Sequence, residues 1–234
     1  MTYMKQESSL ALSKKQRSHV LFVLSNASEG HEVDFLRWYR DTYRQAILAQ
    51  AGVLNAQQYE RHPVDVTRGR YAPPPFEYLG LYELALDGAQ EAQALLETIE
   101  SLHREQVAAR APAIWLYYPV SEKVGRAPPM KPSMLTLAFA NGLPGQEKEF
   151  REWYATRHIR HALHIPVLVS GQCFERTLFQ RPGAMEAKFD TIAVYEQDGP
   201  PEAILESFDT LPKDTFSFPM LDRSRFAEWV YRPL

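Results

Sequence analysis

The sequence predicts an α+β fold in which two β-α-β-β-α-β repeats pack their sheets together as a single barrel. Three observations carry this. The chain matches itself at an offset of 115 residues, both halves alternate strand-length apolar runs with longer amphipathic stretches in the same order, and the segment "SEKVGRAPPMKP" separates them. The offset places Asn26 on Asn141, Gly30 on Gly145, Phe35 on Phe150, Trp38 on Trp153, Tyr39 on Tyr154 and "YER" (59–61) on "FER" (174–176). Ten of the 36 ungapped positions from 26 to 61 are identical, where unrelated sequences would share roughly two or three.

The elements follow in order. "HVLFVLS" and "MLTLAFA" read as first strands, and "NASEG" and "NGLPG" as turns into long amphipathic helices. Second strands are expected near 56–61 and 171–178, then the loops "RHPVDVTRGRYAPPP" and "FQRPGAMEA", then third strands near 78–84 and 190–196. Second helices are expected over about 89–107 and 201–211, and the tryptophan-bearing runs "AIWLYYP" and "AEWVYRP" close the sheets. This order covers one sheet face with helices and leaves the other needing a partner, which the second repeat supplies. The organisation expected is a flexible tail at 1–17, a first repeat at 18–120, an exposed linker at 121–132 and a second repeat at 133–234.

Composition narrows the function classes. With 26 Lys and Arg against 29 Asp and Glu, a net charge of −3 and no long basic run, nucleic acid is not an expected partner. One cysteine, Cys173, excludes an intrachain disulfide framework and a cysteine-rich zinc site. No signal-peptide core and no membrane-length apolar run is present, so a cytoplasmic protein is expected.

The stretch "EFREWYATRHIRHALHIP" (149–166) carries the candidate chemistry. At 100° per residue, Phe150, Trp153, Tyr154, Arg157, His158, His161, His164 and Ile165 fall within an arc of roughly 140°, the width of a core-facing stripe. The first repeat has Thr42, Tyr43, Ala46 and Ala49 where the second has Arg157, His158, His161 and His164. Buried cations are costly unless paired, so the exchange points to a wet or ligand-filled cavity in the second half. The alternative is a helix end that protrudes into solvent, where positive charge suits the helix dipole.

The run F-x-x-W-Y-x-x-x-H at Phe150, Trp153, Tyr154 and His158, with a turn before it and an x-F-x-R strand after it, resembles the dimeric α+β barrel superfamily, in particular its EthD-like branch. The resemblance covers both halves, residues 18–233. It implies two ferredoxin-like units forming one barrel, here as a tandem in a single chain. Members include polyketide cyclases, dehydratases, isomerases, haem-dependent enzymes and small monooxygenases, and in the EthD-like enzymes the histidine of this helix is implicated in proton transfer between helix and sheet. The match assigns that role to His158. In the first half the aligned position is Tyr43, so an equivalent second site is not implied.

The function expected is a cofactor-independent lyase, cyclase or isomerase acting on a small aromatic or polyketide-like substrate. His158 would serve as general base and then acid, with Arg157 or His161 polarising a carbonyl or holding a carboxylate. Tyr154 and Tyr43 could donate to an oxyanion, while Trp153, His164 and Arg176 complete the candidate substrate contacts. No metal is expected, because His158 and His164 are about 9 Å apart along a helix axis. Two alternatives are a non-catalytic ligand-binding or assembly barrel and a monooxygenase, cofactor-free or haem-dependent. No C-x-x-C-H, G-x-S-x-G or dinucleotide-binding signature is present. A small molecule is the expected partner, and a homodimer is possible although duplication removes the need for one to complete the barrel.

Overall fold

The structure is a computed structural model that describes residues 17–128, 133–180, 188–212, 218 and 220–234. The first half runs β1 (His19–Ser25), α1 (Glu32–Trp38), a π turn (Tyr39–Tyr43), α2 (Arg44–Leu48), β2 (Val53–Arg61), β3 (Tyr78–Leu84), α3 (Ala89–Arg104) and β4 (Ala113–Pro119). A two-residue strand, β5 (Val124–Gly125), follows. The second half repeats the order: β6 (Met134–Ala140), α4 (Glu147–Trp153), a π turn (Tyr154–His158), α5 (Ile159–His161), a 3-10 turn (Ala162–His164), β7 (Leu168–Arg176), β8 (Thr191–Gln197), α6 (Glu202–Thr210) and β9 (Ala227–Pro233). The glycines shared at the first turns, Gly30 and Gly145, sit at φ +77° and +81°, a region open to glycine without steric cost.

Each half forms a four-stranded antiparallel sheet, β4-β1-β3-β2 and β9-β6-β8-β7. The sheets join edge to edge through two short seams. Tyr59, Glu60 and Arg61 of β2 pair with Pro233, Arg232 and Tyr231 of β9, and Tyr117, Tyr118 and Pro119 of β4 pair with Arg176, Glu175 and Phe174 of β7. The result is an eight-stranded closed barrel, which removes the open edges that an isolated sheet would expose. Strand alternation sends one set of side chains inward, including Phe22, Trp115, Phe139 and Trp229, into a core that both halves build. The other set packs under the helices as two separate layers, one per half.

The expected fold class is the one observed, with three local differences. β2 and β7 begin three residues earlier than expected, and the long first helix of each half is interrupted by a π turn. The segment expected as an exposed linker contributes β5, which pairs Val124 with Gly171 and Gly125 with Ser170; residues 129–132 lie outside the described residues. Residues 1–16 of the expected tail and 181–187 of the "FQRPGAMEA" loop also lie outside them. Arg17 is already part of the fold, with its guanidinium on Glu83 at 2.9 Å and on Gln172 of the other half. Among the described residues no helix is long and apolar enough to cross a membrane.

Candidate functional site

In the second half a cavity lies between the interrupted helix and the outer face of the sheet, lined by His158, Tyr154 and Trp153 from the helix and by Tyr195, Ala138 and Glu228 from the strands. The π turn sets up its helical wall. Bonds closing from i to i+5 widen the turn, so residues four apart stand in one column: Phe150 stacks on Tyr154 at 5.1 Å, and Tyr154 on His158 at 4.7 Å. Trp153 stacks on the same imidazole at 5.3 Å, and Phe218 meets it edge-on at 4.9 Å.

His158 is 9% exposed. Loss of hydration, with a smaller contribution from His161, pushes its pKa down to about 3, so the ring is neutral near neutral pH. Its Nε2 lies 3.3 Å from the Tyr195 hydroxyl. The pair can form in either sense, the phenol donating to Nε2 or accepting from Nε2–H, so it leaves Nδ1 as a donor in one tautomer and an acceptor in the other. Nδ1 is buried without a hydrogen-bond partner.

The acidic counterpart is Glu228 on β9. It pairs with Ala138 across the sheet and points to the helix side, while its neighbours Ala227 and Trp229 point into the barrel. Burial pushes its carboxyl up to about 7; Arg70 opposes the shift and Asp65 adds to it. Glu228 also lines an adjoining vestibule of about 540 Å³, which is continuous in its walls with the inner chamber of about 60 Å³ through Phe208, Phe218, Leu221 and Phe226. The exposure that Glu228 retains is into this space.

The vestibule is roofed by the loop between β2 and β3 of the other half. Val66 is buried in the second half's helix-side core, Arg68 holds the Asp209 carboxylate at 2.8 and 2.6 Å, and Tyr71 packs on Phe226 at 4.7 Å. Arg70 lies over the Phe208 ring at 6.0 Å, and Arg223 donates to the Tyr71 hydroxyl at 3.4 Å.

Of the residues expected at the site, the structure brings His158, Tyr154 and Trp153 together in the cavity wall. It does not bring the others. Arg157, His161 and His164 are exposed, which corrects the reading of one continuous basic stripe. The reason is the π turn: its widened turn carries the buried face from Tyr154 to His158, Ile159, Ala162 and Ile165. His161 and His164 instead lie beside one another in solvent, with the His164 Nδ1 at 2.9 Å from the His161 carbonyl. Tyr43 is fully buried in the first half, against Trp38 at 4.7 Å and His103 at 4.6 Å, and fills the space that the second half leaves open. Arg176 is at the end of β7, bound to Asp190 at 2.8 Å.

Glu228 and Tyr195 were not among the expected site residues. A signal for Glu228 is present in the duplication, which sets it against Ile114, a buried core residue of the first half. Cys173 is buried and its thiol is pushed up by burial, consistent with a packed, unreactive side chain. Among the described residues no group of three or more His, Cys, Asp or Glu is placed to hold a metal ion.

Scans against protein-family profiles and curated proteins return no match. Solved structures do match. An anthrone oxidase-like protein superposes with a TM-score of 0.61 at 9% identity, covering 94% of this chain and 92% of its own. A provisionally assigned monooxygenase of Fusobacterium nucleatum gives 0.54 at 10% identity with 93% of both chains covered. A provisionally assigned chlorite dismutase gives 0.52 at 12% identity, over 93% of this chain and 95% of its own. The fold is the dimeric α+β barrel. At these identities the likeness concerns architecture, and the chemistry rests on the cavity.

Proposed function

We propose that the protein is an enzyme of proton-transfer chemistry acting on a small aromatic or polyketide-like carbonyl compound, as in the EthD-like branch. The observation that carries this is one cavity lined both by the Glu228 carboxyl, which burial pushes up to about 7, and by the His158 imidazole, whose Nδ1 is buried without a partner. The Glu228 carboxylate removes a proton from the carbon beside the carbonyl. The C–H electron pair becomes the new C=C bond, and the carbonyl π pair moves to oxygen. In the tautomer in which the Tyr195 hydroxyl donates to Nε2, the His158 Nδ1–H donates to that enolate oxygen, with Tyr195 fixing the ring. Glu228 then returns its proton, to another carbon for double-bond migration or to a leaving hydroxyl for loss of water. This transfers the role of base from His158, whose conjugate acid is too strong at a pKa of about 3, to Glu228.

The aromatic walls suit a flat substrate whose body occupies the vestibule and whose reacting edge enters the inner chamber. The second reading is cofactor-free oxygenation, favoured by the structural likeness to an anthrone oxidase-like protein. It shares the first step, after which the carbanion reacts with dioxygen.

The test is exchange of solvent deuterium into a panel of aromatic ketones and anthrones, followed by NMR, with an oxygen electrode alongside. Exchange by the wild type that falls at least about 100-fold in Glu228→Gln supports the reading. No exchange across the panel, or exchange unchanged in that variant, overturns it and leaves a binding barrel. Oxygen uptake accompanying exchange selects the oxygenase.

A further inference from the structure

The vestibule outside the His158 chamber carries an excess of positive charge. Arg68, Arg70 and Arg223 line it, and Glu228 is the one acid among the described lining residues. Arg68 is neutralised by Asp209 at 2.6 Å. Arg70 and Arg223 form no ion pair among the described residues. Arg70 acts on Glu228 through charge without touching it, and burial still pushes that carboxyl up to about 7, so near neutral pH it offsets only part of the excess.

The partners that these two arginines do have are neutral. The Arg70 Nε donates to the Thr67 carbonyl at 2.9 Å, and its guanidinium lies over the Phe208 ring at 6.0 Å. The Arg223 Nη1 donates to the Tyr71 hydroxyl at 3.4 Å, which leaves the hydrogen of that hydroxyl for another acceptor. The remaining guanidinium N–H groups are donors in a fixed planar fork, the geometry that matches a carboxylate.

Arg70 is also held in place. The Asp65 carboxylate accepts from the Thr67 N–H at 2.8 Å, the Thr67 hydroxyl at 2.6 Å and the Gly69 N–H at 2.6 Å. Between them Arg68 sits at φ +56°, a region that side chains disfavour, and its pair with Asp209 of the other half keeps it there. A cation presented by a fixed loop costs less ordering when it binds.

We propose that the vestibule recognises a carboxylate on the substrate, which is therefore a flat aromatic acid. Its carboxylate lies between Arg70 of the first half and Arg223 of the second, its ring lies against Tyr71 and Phe226, and its reacting carbon faces Glu228. Arg70 and Arg223 select an anionic aromatic over a neutral one. The proposal rests on the proton-transfer reading only in taking the bound anion to be the substrate; the binding itself does not depend on it.

The experiment is equilibrium dialysis with 2-naphthoate and with 2-naphthalenemethanol, its neutral counterpart. The wild type is expected to bind the acid more tightly. Arg70→Gln and Arg223→Gln should each weaken naphthoate about three- to tenfold and leave the alcohol within twofold. Arg70→Lys, which keeps the charge, should lose less, and Arg157→Gln, at an exposed arginine outside the vestibule, should lose nothing. Arg223→Gln decides the matter if Arg70→Gln does not fold. The proposal is overturned if naphthoate does not bind up to about 1 mM, if either glutamine variant affects both ligands alike, or if Arg157→Gln weakens naphthoate equally. Arginine-dependent binding of naphthoate with no deuterium exchange in any ketone upholds this site and removes only the proton-transfer reading. Exchange into neutral ketones that exceeds exchange into keto acids, and is the same in both glutamine variants, does the reverse.

Discussion

Tyr43 and His158 occupy equivalent places in the two repeats, and so do Ile114 and Glu228. The first half uses tyrosine and isoleucine to complete a packed layer, with His103 against Tyr43 and Trp38. The second half uses histidine and glutamate and sets Phe218 where His103 would be. Both substitutions put titratable groups where burial dominates their chemistry, and the signs differ. The Glu228 carboxyl rises from an ordinary 4.5 to about 7, so its contribution to stability is fully present below pH 4.5 and is lost as pH climbs through 7. Glu228→Gln should therefore raise the melting temperature at pH 8, by on the order of 5 °C, and leave it nearly unchanged at pH 4. In the same variant the ascending limb of the pH–rate profile, with its midpoint near 7 in the wild type, should disappear. His158 and His103 behave oppositely. Their pKa values are pushed down to about 3 and about 4, so the stability that they contribute above 6.5 is lost as pH falls towards those values. Thermal scans from pH 7 to pH 4 should show this loss, and more steeply in Glu228→Gln, where the opposing carboxyl contribution is gone.

At the scale of the element, the π turn decides which side chains meet. A regular helical wheel correctly places Phe150, Tyr154 and His158 on the inner face and wrongly places Arg157, His161 and His164 there. The same interruption stands at Tyr39–Tyr43 in the first repeat, 115 residues earlier, so it belongs to the repeated unit and not to the site alone. Opposite the turn, Gly171 of β7 gives the helix room. A Cβ there would lie 2.7 Å from the Tyr195 ring and 2.8 Å from Ile159. Gly171→Ala should cost about 1–3 kcal/mol through overpacking, seen as a lower midpoint in denaturant. It should also disturb the Tyr195–His158 pairing, seen as a shifted His158 ring resonance. An unchanged midpoint would mean that the helix moves away freely.

For the molecule as a whole, closure of the barrel joins what the duplication leaves separate. Neither half covers its inner sheet face alone: Phe22 and Trp115 from one meet Phe139, Phe174 and Trp229 from the other in one core. The loop between β2 and β3 of the first half then roofs the cavity of the second, through Arg68 on Asp209 and Tyr71 on Phe226. A shared core predicts a single cooperative unfolding transition in calorimetry, with equal calorimetric and van't Hoff enthalpies. Two resolved transitions would show that the halves are stable separately. The exposed Arg68–Asp209 pair adds little to that stability; its effect is on the position of the roof.

The sequence by itself determined the duplication, the order of elements and the fold class, because these follow from the period of apolar residues and from turn glycines, which are local properties. His158 was legible as well, since a histidine stands where the other repeat packs a tyrosine. Glu228 was only half legible: its contrast with Ile114 lies in the alignment of the repeats, but which face of β9 it occupies depends on register in the closed barrel. Tertiary structure alone decided that Arg157, His161 and His164 stay in solvent, because a π turn changes the number of residues per turn without changing the composition of the stripe. It also decided that a loop of the first half covers the site of the second, since that contact joins residues 141 positions apart. Backbone closure, and no feature of either segment, brings them together.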